Sequence, residues 1–278
     1  GAEFADSVGA DVVNTSLGYT TFDDPSKDHT YADLDGNTTV ITRGADIAAS
    51  KGMLMVNSAG NSGASSWYYI GAPADGDSVL AIGAVSSNRI VTNFSSRGPA
   101  ADGRVKPNVM AMGGGVPQPI GDSDVQFING TSFSGPILAG AAACLWQSRS
   151  SYTNMEIFHA IEESADKYLS PNDHYGYGIP NMGMAHFIIT SVDDVSNDGG
   201  SIIGYPNPTH GMIYLPVGQN TSIEITIYDF LGHQMKNEVN PSIQNGNIEV
   251  DLASYPAGIY LLEIVSSSGV QVVRAIKQ

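Results

Sequence analysis

The run Ile137-Leu138-Ala139-Gly140-Ala141-Ala142-Ala143-Cys144-Leu145-Trp146 follows directly on Asn129-Gly130-Thr131-Ser132-Phe133-Ser134-Gly135-Pro136, and no other stretch restricts the fold so tightly. Residues with so little side chain predict a helix that packs closely against a sheet. Pro136 stands near its start, where a missing N–H costs less than it would mid-helix. Ser132 then falls at the helix N-terminus, where unpaired N–H groups and the helix dipole favour negative charge developing beside its hydroxyl. Taken alone, Gly-Thr-Ser fits an ordinary turn before a capped helix equally well, so its meaning depends on the rest of the chain.

The rest supplies strands. Asp11-Val12-Val13-Asn14-Thr15-Ser16-Leu17, ended by Gly18, reads as a buried strand, and Glu3 to Val8 before it as the tail of a helix. A polar, acidic loop runs from Thr20 to Thr38. After it Val40, Ile41, Gly44, Ile47 and Ala48 share a helical face that Gly52 brings to a stop. Met53 to Ala59, closed by Gly60-Asn61-Ser62-Gly63, and Ser78 to Val85 are two more apolar strands. Near-continuous apolar strands alternating with helices predict an α/β fold, a parallel sheet covered on both faces. Ligands of such sheets bind beyond the carboxyl ends of the strands, where Ser16-Leu17-Gly18 and Ala59-Gly60-Asn61 lie.

Charge and composition narrow the function. With 28 acidic and 12 basic residues the net charge is -16, which argues against nucleic acid and anionic membrane as partners and suits a soluble extracellular protein. No apolar run approaches the roughly 18 residues of a transmembrane segment. The chain opens on Gly-Ala-Glu-Phe-Ala-Asp, without a signal peptide, and reads as beginning inside a domain. The single Cys144 excludes an intramolecular disulfide and reads as a small buried hydrophobe. Scattered histidines indicate no metal site, and the acidic residues near Asp33 and Asp35 read as a solvated loop rather than a calcium cage.

Gly-Thr-Ser-x-Ser-x-Pro running into a small-residue helix resembles the nucleophile motif of the subtilisin-like serine proteases. Ser58-Ala59-Gly60-Asn61 resembles the family's oxyanion motif, Ser16-Leu17-Gly18 its substrate-pairing strand end, and Asn93 to Pro99, Lys106-Pro107-Asn108 and Gly176 to Asn181 its connecting and tail segments. The resemblance covers Gly1 to about Phe187, and a peptidase domain is expected over 1–189. It implies Ser132 as nucleophile, Asn61 as oxyanion donor, and Ser16, Leu17, Gly18, Ala59 and Gly60 as contacts for a protein or peptide substrate. Gly71, Tyr68 and Tyr69 are expected at the pocket floor. No cofactor is implied, and calcium is left open. Asn108 and Met112 depart from the family's Asp and Pro.

A serine hydroxyl needs a base and the base an orienting carboxylate. The family places its Asp and His ahead of the Ser-Leu-Gly strand, where this chain has only Gly1 to Thr15 and no histidine. His29, His159, His174 and His186 read as surface or packing residues. The expectation is an N-terminally truncated domain, inactive alone. The rival reading is a surface binding or adhesion protein on the same scaffold.

From Thr190 the composition turns to Ser, Val, Asp, Asn and Gly, an expected linker over 190–203. Beyond it, Ile223, Ile225 and Ile227 alternate with polar residues, and Gly258–Ile264 and Val270–Arg274 read as strands between short turns, a small all-β sandwich. Tyr205-Pro206-Asn207-Pro208-Thr209-His210-Gly211, Ile227-Tyr228-Asp229 and Pro256 to Tyr260 resemble the type IX secretion C-terminal sorting domain over 204–278. That implies recognition by the secretion machinery and a secreted or cell-surface protein of a Gram-negative bacterium.

Overall fold

Four strands build the first sheet: β1 (Val12–Thr15), β2 (Leu54–Ser58), β3 (Val79–Ser86) and β4 (Val109–Gly114), all parallel and in the order β1-β2-β3-β4. They belong to a computed structural model that describes residues 1–278 except 122–123, 192–201, 203, 218–221, 231, 240, 245 and 267–268. The chain divides into two compact units, Gly1–Ala185 and His186–Gln278. The expected linker falls mostly outside the described residues.

The sheet is covered by helices as the pattern requires. α1 (Ala2–Ser7) and α2 (Val40–Ser50) pack over Met55 and Val79, with Ala45, Ala48 and Ala49 of α2 turned inward. Side chains alternate along β2, so Val56 and Ser58 point to the other face. There α3 (Thr131–Ser148) lies against all four strands, with Leu138, Ala142 and Leu145 buried, and α4 (Asn154–Glu163) packs beside it. α5 (Met182–Ser191) follows.

Three expectations change. β1 is the sheet's edge and only partly covered, so its apolar run does not make it a fully buried strand. On α2 the inward face is Thr42, Ala45, Ala48 and Ala49, while Val40 and Ile47 are exposed. The reason is polar: Thr42 Oγ1 donates to the buried Asp75 carboxylate at 2.6 Å, which holds the Thr42 side of the helix inward in place of the aliphatic face. Cys144 is exposed, because it lies on the side of α3 that carries Ile137 and Gly140 away from the strands.

Asn108, where the family pattern has Asp, sits in a buried polar network. Lys106 is buried, and its Nζ donates to Gly76 O at 2.7 Å, Val79 O at 2.8 Å and Asn108 Oδ1 at 2.9 Å. Asn108 Nδ2 in turn donates to Glu162 Oε1 at 2.7 Å. An amide both accepts from the amine and donates to the carboxylate; an ionised aspartate could only accept. Burial draws Lys106 down from its usual range to about 7.

After β4 the chain forms an exposed ribbon, β5 (Val116–Ile120) against β6 (Asp124–Ile128), closed at its base where Gly115 N–H donates to Asn129 Oδ1 at 2.8 Å. From there it passes straight into α3.

The second unit is two facing antiparallel sheets. One orders β10 (Ile243–Gln244), β11 (Asn247–Asp251) and β7 (Met212–Pro216); the other orders β13 (Gly269–Lys277), β12 (Gly258–Ser266), β8 (Ile223–Asp229) and β9 (Gln234–Val239). Ile213, Leu215, Ile248 and Val250 from the first meet Ile225, Ile227, Leu262, Ile264 and Val273 from the second in one apolar core. This is the expected sandwich. Its opening segment is tied to its last strand: Asn207 Nδ2 donates to Arg274 O at 2.5 Å and its Oδ1 accepts from Ile276 N at 2.8 Å, while Gln278 N donates to Thr209 O at 2.9 Å.

Candidate active site

The start of α3 is fixed over the carboxyl ends of β1 and β2 by close approach. A Cβ on Gly135 would stand 2.8 Å from Asn14 Oδ1 and 3.1 Å from Ser58 Oγ, so the helix reaches the strands only because that side chain is absent. Ser58 Oγ then donates to Thr131 O at 2.8 Å. Pro136 has no N–H to offer the carbonyl one turn back, Ser132 O, and Ser16 Oγ donates to that oxygen at 3.3 Å. Helix and strand ends are thus joined at Ser132.

Asn61 is held from the same helix start. Its Oδ1 accepts from Thr131 N–H at 2.9 Å and from Thr131 Oγ1 at 3.0 Å. An oxygen facing a backbone N–H fixes the amide's orientation, so Nδ2 is turned away from Thr131 as a free donor edge. Thr131 Oγ1 also accepts from Gly60 N–H at 3.2 Å, which pins the turn between β2 and Asn61. Gly60 has φ +111°, and a Cβ there would lie 2.8 Å from Ser96 Oγ, so the turn needs glycine.

Ser132 and Asn61 line one groove of about 190 Å³ with Ser16, Leu17, Gly18 and Gly60. Ala59, the remaining expected substrate contact, does not line it; its side chain is fully buried with Leu34, Ile70 and Ala81. The floor carries Trp67, Tyr69 and Gly71, whereas Tyr68 faces Arg97, whose guanidinium lies 5.2 Å from its ring centre. No charged side chain lines the groove among the described residues. In the first turn of α3 the Ser132 N–H has no carbonyl one turn before it, so a backbone donor joins the Asn61 amide at the groove.

The described hydrogen bonds give Ser132 Oγ no histidine partner. His29 packs edge-on against Phe22, with ring centres 5.1 Å apart, His159 faces Glu162 and His233 faces Asp229. His174 Nε2 lies 3.5 Å from Tyr68 Oη. Among the described residues no three His, Cys, Asp or Glu side chains gather as metal ligands. Sequence reading missed Thr131, Asn57 and Ser58. Thr131 had a signal, its place inside the Gly-Thr-Ser motif; Asn57, whose Nδ2 donates to Leu17 O at 3.3 Å, had none beyond being a polar residue in an apolar strand.

Residues 2–178 match the subtilase family, peptidase S8. The chain belongs to that family. This subtilase is 34% identical over 186 residues to subtilisin DY from Bacillus licheniformis, an overlap of 66% of this chain and 60% of that protein. To subtilisin E from Bacillus subtilis (strain 168) it is 33% identical over 186 residues, 66% of this chain and 43% of the relative. It therefore spans 60% or less of the length of these relatives. The self-cleaved protease domain of PatA shares the fold, with a TM-score of 0.53 and 23% identity over 68% of this chain and 65% of that one. Residues 204–278 match a secretion system C-terminal sorting domain, which implies a secreted or cell-surface protein. No helix among the described residues is long and apolar enough to cross a membrane.

Proposed function

We propose that this subtilase is a secreted endopeptidase in which Ser132 attacks the scissile carbonyl and the Asn61 amide, with the Ser132 N–H, takes the oxyanion. The observation that carries the reading is the clamp on Asn61: Thr131 holds its Oδ1 from two sides, and Asn61 lines the groove together with Ser132. A donor fixed in advance stabilises charge that appears only in the transition state, so it serves the chemical step rather than ground-state binding. Substrate backbone pairs along Ser16-Leu17-Gly18 and Gly60 in extended form.

The reading takes the base and its carboxylate from a longer protein, as the family pattern has them ahead of Ser16-Leu17-Gly18, and takes residues 1–278 alone as inactive. The sandwich of 204–278 is the signal for a type IX secretion machinery in a Gram-negative bacterium, and folds as a domain of its own. The alternative, a binding scaffold, is favoured only by that lack of a base.

The test uses the full-length protein with a denatured protein substrate. Ser132→Ala is expected to abolish cleavage. Asn61→Ala is expected to lower kcat about 10²–10³-fold with KM nearly unchanged, the magnitude known for a subtilisin's donor. A full-length protein that cleaves nothing, or a Ser132→Ala variant as active as its parent, turns the assignment to the binding scaffold.

A further inference from the structure

The pocket floor turns on one strained residue. Tyr68 and Arg89 are the non-glycine residues with positive φ among those described, and Arg89 sits in an exposed turn after β3. Tyr68 has φ +65°, and the Tyr69 N–H donates across it to Trp67 O at 2.7 Å. A hydrogen bond that spans two residues about a left-handed centre makes Trp67-Tyr68-Tyr69 a γ-turn of the rarer kind. A bulky side chain adopts that conformation only where its surroundings hold it.

The turn shapes the groove, because Trp67 and Tyr69 line it and Tyr68 between them does not. Trp67 Nε1–H donates to Ile70 O at 2.9 Å, and the Tyr69 ring lies with its centre 4.1 Å from that of Tyr31. Tyr68 is held by Arg97. The Arg97 N–H donates to Tyr68 O at 3.2 Å and Arg97 O accepts from Ile70 N–H at 2.9 Å, so its backbone grips the turn on both sides. Its guanidinium lies 5.2 Å from the centre of the Tyr68 ring, and Nη1 donates to Tyr68 Oη at 3.3 Å. His174 Nε2 closes the cluster, 3.4 Å from Nη1 and 3.5 Å from Tyr68 Oη.

Two further observations tie this contact to the site. Arg97 Nε is buried without a hydrogen-bond partner. An unmatched buried donor costs stability, so the guanidinium sits there for its contacts with Tyr68 rather than to satisfy its own bonding. Ser96, the residue before it, lines the groove, and its N–H donates to Gly60 O at 2.9 Å. One short segment thus joins the turn that carries Asn61 to the turn that carries the floor.

We propose that Arg97 is a positioning residue: through Tyr68 it holds the γ-turn in the shape that makes Trp67 and Tyr69 a rigid floor, and so sets how strongly the groove separates large from small substrate side chains. It touches no substrate itself. The proposal rests on the endopeptidase reading for the occupant of the groove.

The test uses the full-length protein and peptides that carry Ala, Leu or Phe before the scissile bond. Cleavage is followed directly, and binding by fluorescence anisotropy in the Ser132→Ala background. Arg97→Ala keeps the backbone bonds and loses the guanidinium. It is expected to raise KM and Kd for the Leu and Phe peptides about tenfold, with kcat within about twofold, and to weaken the Ala peptide less than about threefold. Tyr68→Gly added to Arg97→Ala should recover most of the loss, because glycine takes φ +65° without a brace. If Arg97→Ala does not fold, Arg97→Lys is read in its place: it keeps a charge near the ring but not the fork that reaches Tyr68 Oη, and about a threefold loss with the same selectivity is expected. A parent without a large-over-small preference, a preference that survives loss of the guanidinium, an equal weakening of all three peptides, or a loss that Tyr68→Gly leaves in place overturns the positioning role. Where the parent still cleaves, the protease reading outlives that result. A parent that cleaves nothing, with an Arg97-dependent preference in binding, keeps the positioning role and ends the protease reading.

Discussion

Replacing Thr131 by Val keeps the shape of a fully buried side chain and removes one hydroxyl. That hydroxyl accepts from Gly60 N–H and donates to Asn61 Oδ1, so the variant leaves a donor in the Gly60 turn bare and loosens half of the Asn61 clamp. An unsatisfied, partly buried N–H costs about 1–3 kcal/mol and the lost bond to Asn61 about 0.5–1.5 kcal/mol; with the methyl's small apolar gain set against them, about 2 kcal/mol remains. For a unit of this size that lowers Tm by about 4–8 °C in calorimetry. The functional effect is separate. With only the backbone N–H left to orient it, the Asn61 amide swings, so kcat of the full-length protein is expected to fall roughly tenfold with KM nearly constant, and Thr131→Ser, which keeps the hydroxyl, to restore most of it. A Thr131→Val protein with parental Tm and parental kcat would refute the clamp.

Gly135→Ala forces a methyl to within 2.8 Å of Asn14 Oδ1 and 3.1 Å of Ser58 Oγ, and is expected to cost about 1–3 kcal/mol by denaturant titration, whereas the same change at the exposed mid-helix Gly140, which has nothing within 4 Å, is expected to stabilise by about 0.5–1 kcal/mol. Asp46 is raised to about 6, mainly by burial and in spite of the Ser78 N–H that it accepts. A carboxyl raised above its unfolded value of 3.8 binds more protons folded than unfolded, so stability is lost as pH rises from about 4 through 6. Asp46→Asn should remove that loss: its Tm advantage over the parent grows across this window and then levels, and an advantage that is flat with pH would count against the assignment.

Much of the site was legible because its parts sit at the ends of strands. Ser16-Leu17-Gly18 and Gly60-Asn61 each follow an apolar β-branched or aliphatic run, and a parallel sheet brings all such ends to one edge, where the helix begun by Ser132 also starts. What the sequence hid was decided by contacts with other elements. The inward face of α2 follows Thr42 and its bond to Asp75 more than its own aliphatic stripe. The β5–β6 ribbon carries Pro117 and Pro119, residues that argue against a strand, and exists because an exposed two-stranded ribbon needs few of the N–H groups they lack. Cys144 looked buried because its neighbours are small and apolar, yet the strands meet a different side of α3.

The stitching of Asn207 and Thr209 to Arg274, Ile276 and Gln278 has a temporal side. A ribosome delivers residue 207 well before residue 276, so the partners of the opening segment do not exist until some seventy further peptide bonds have been made. The opening segment can be tied to the last strand only once residues 274–278 have been made. Removing the last four of these residues takes away the Ile276 N–H that Asn207 accepts and the Gln278 N–H that donates to Thr209 O together, and leaves the opening segment of the sandwich held to that strand only through Arg274 O.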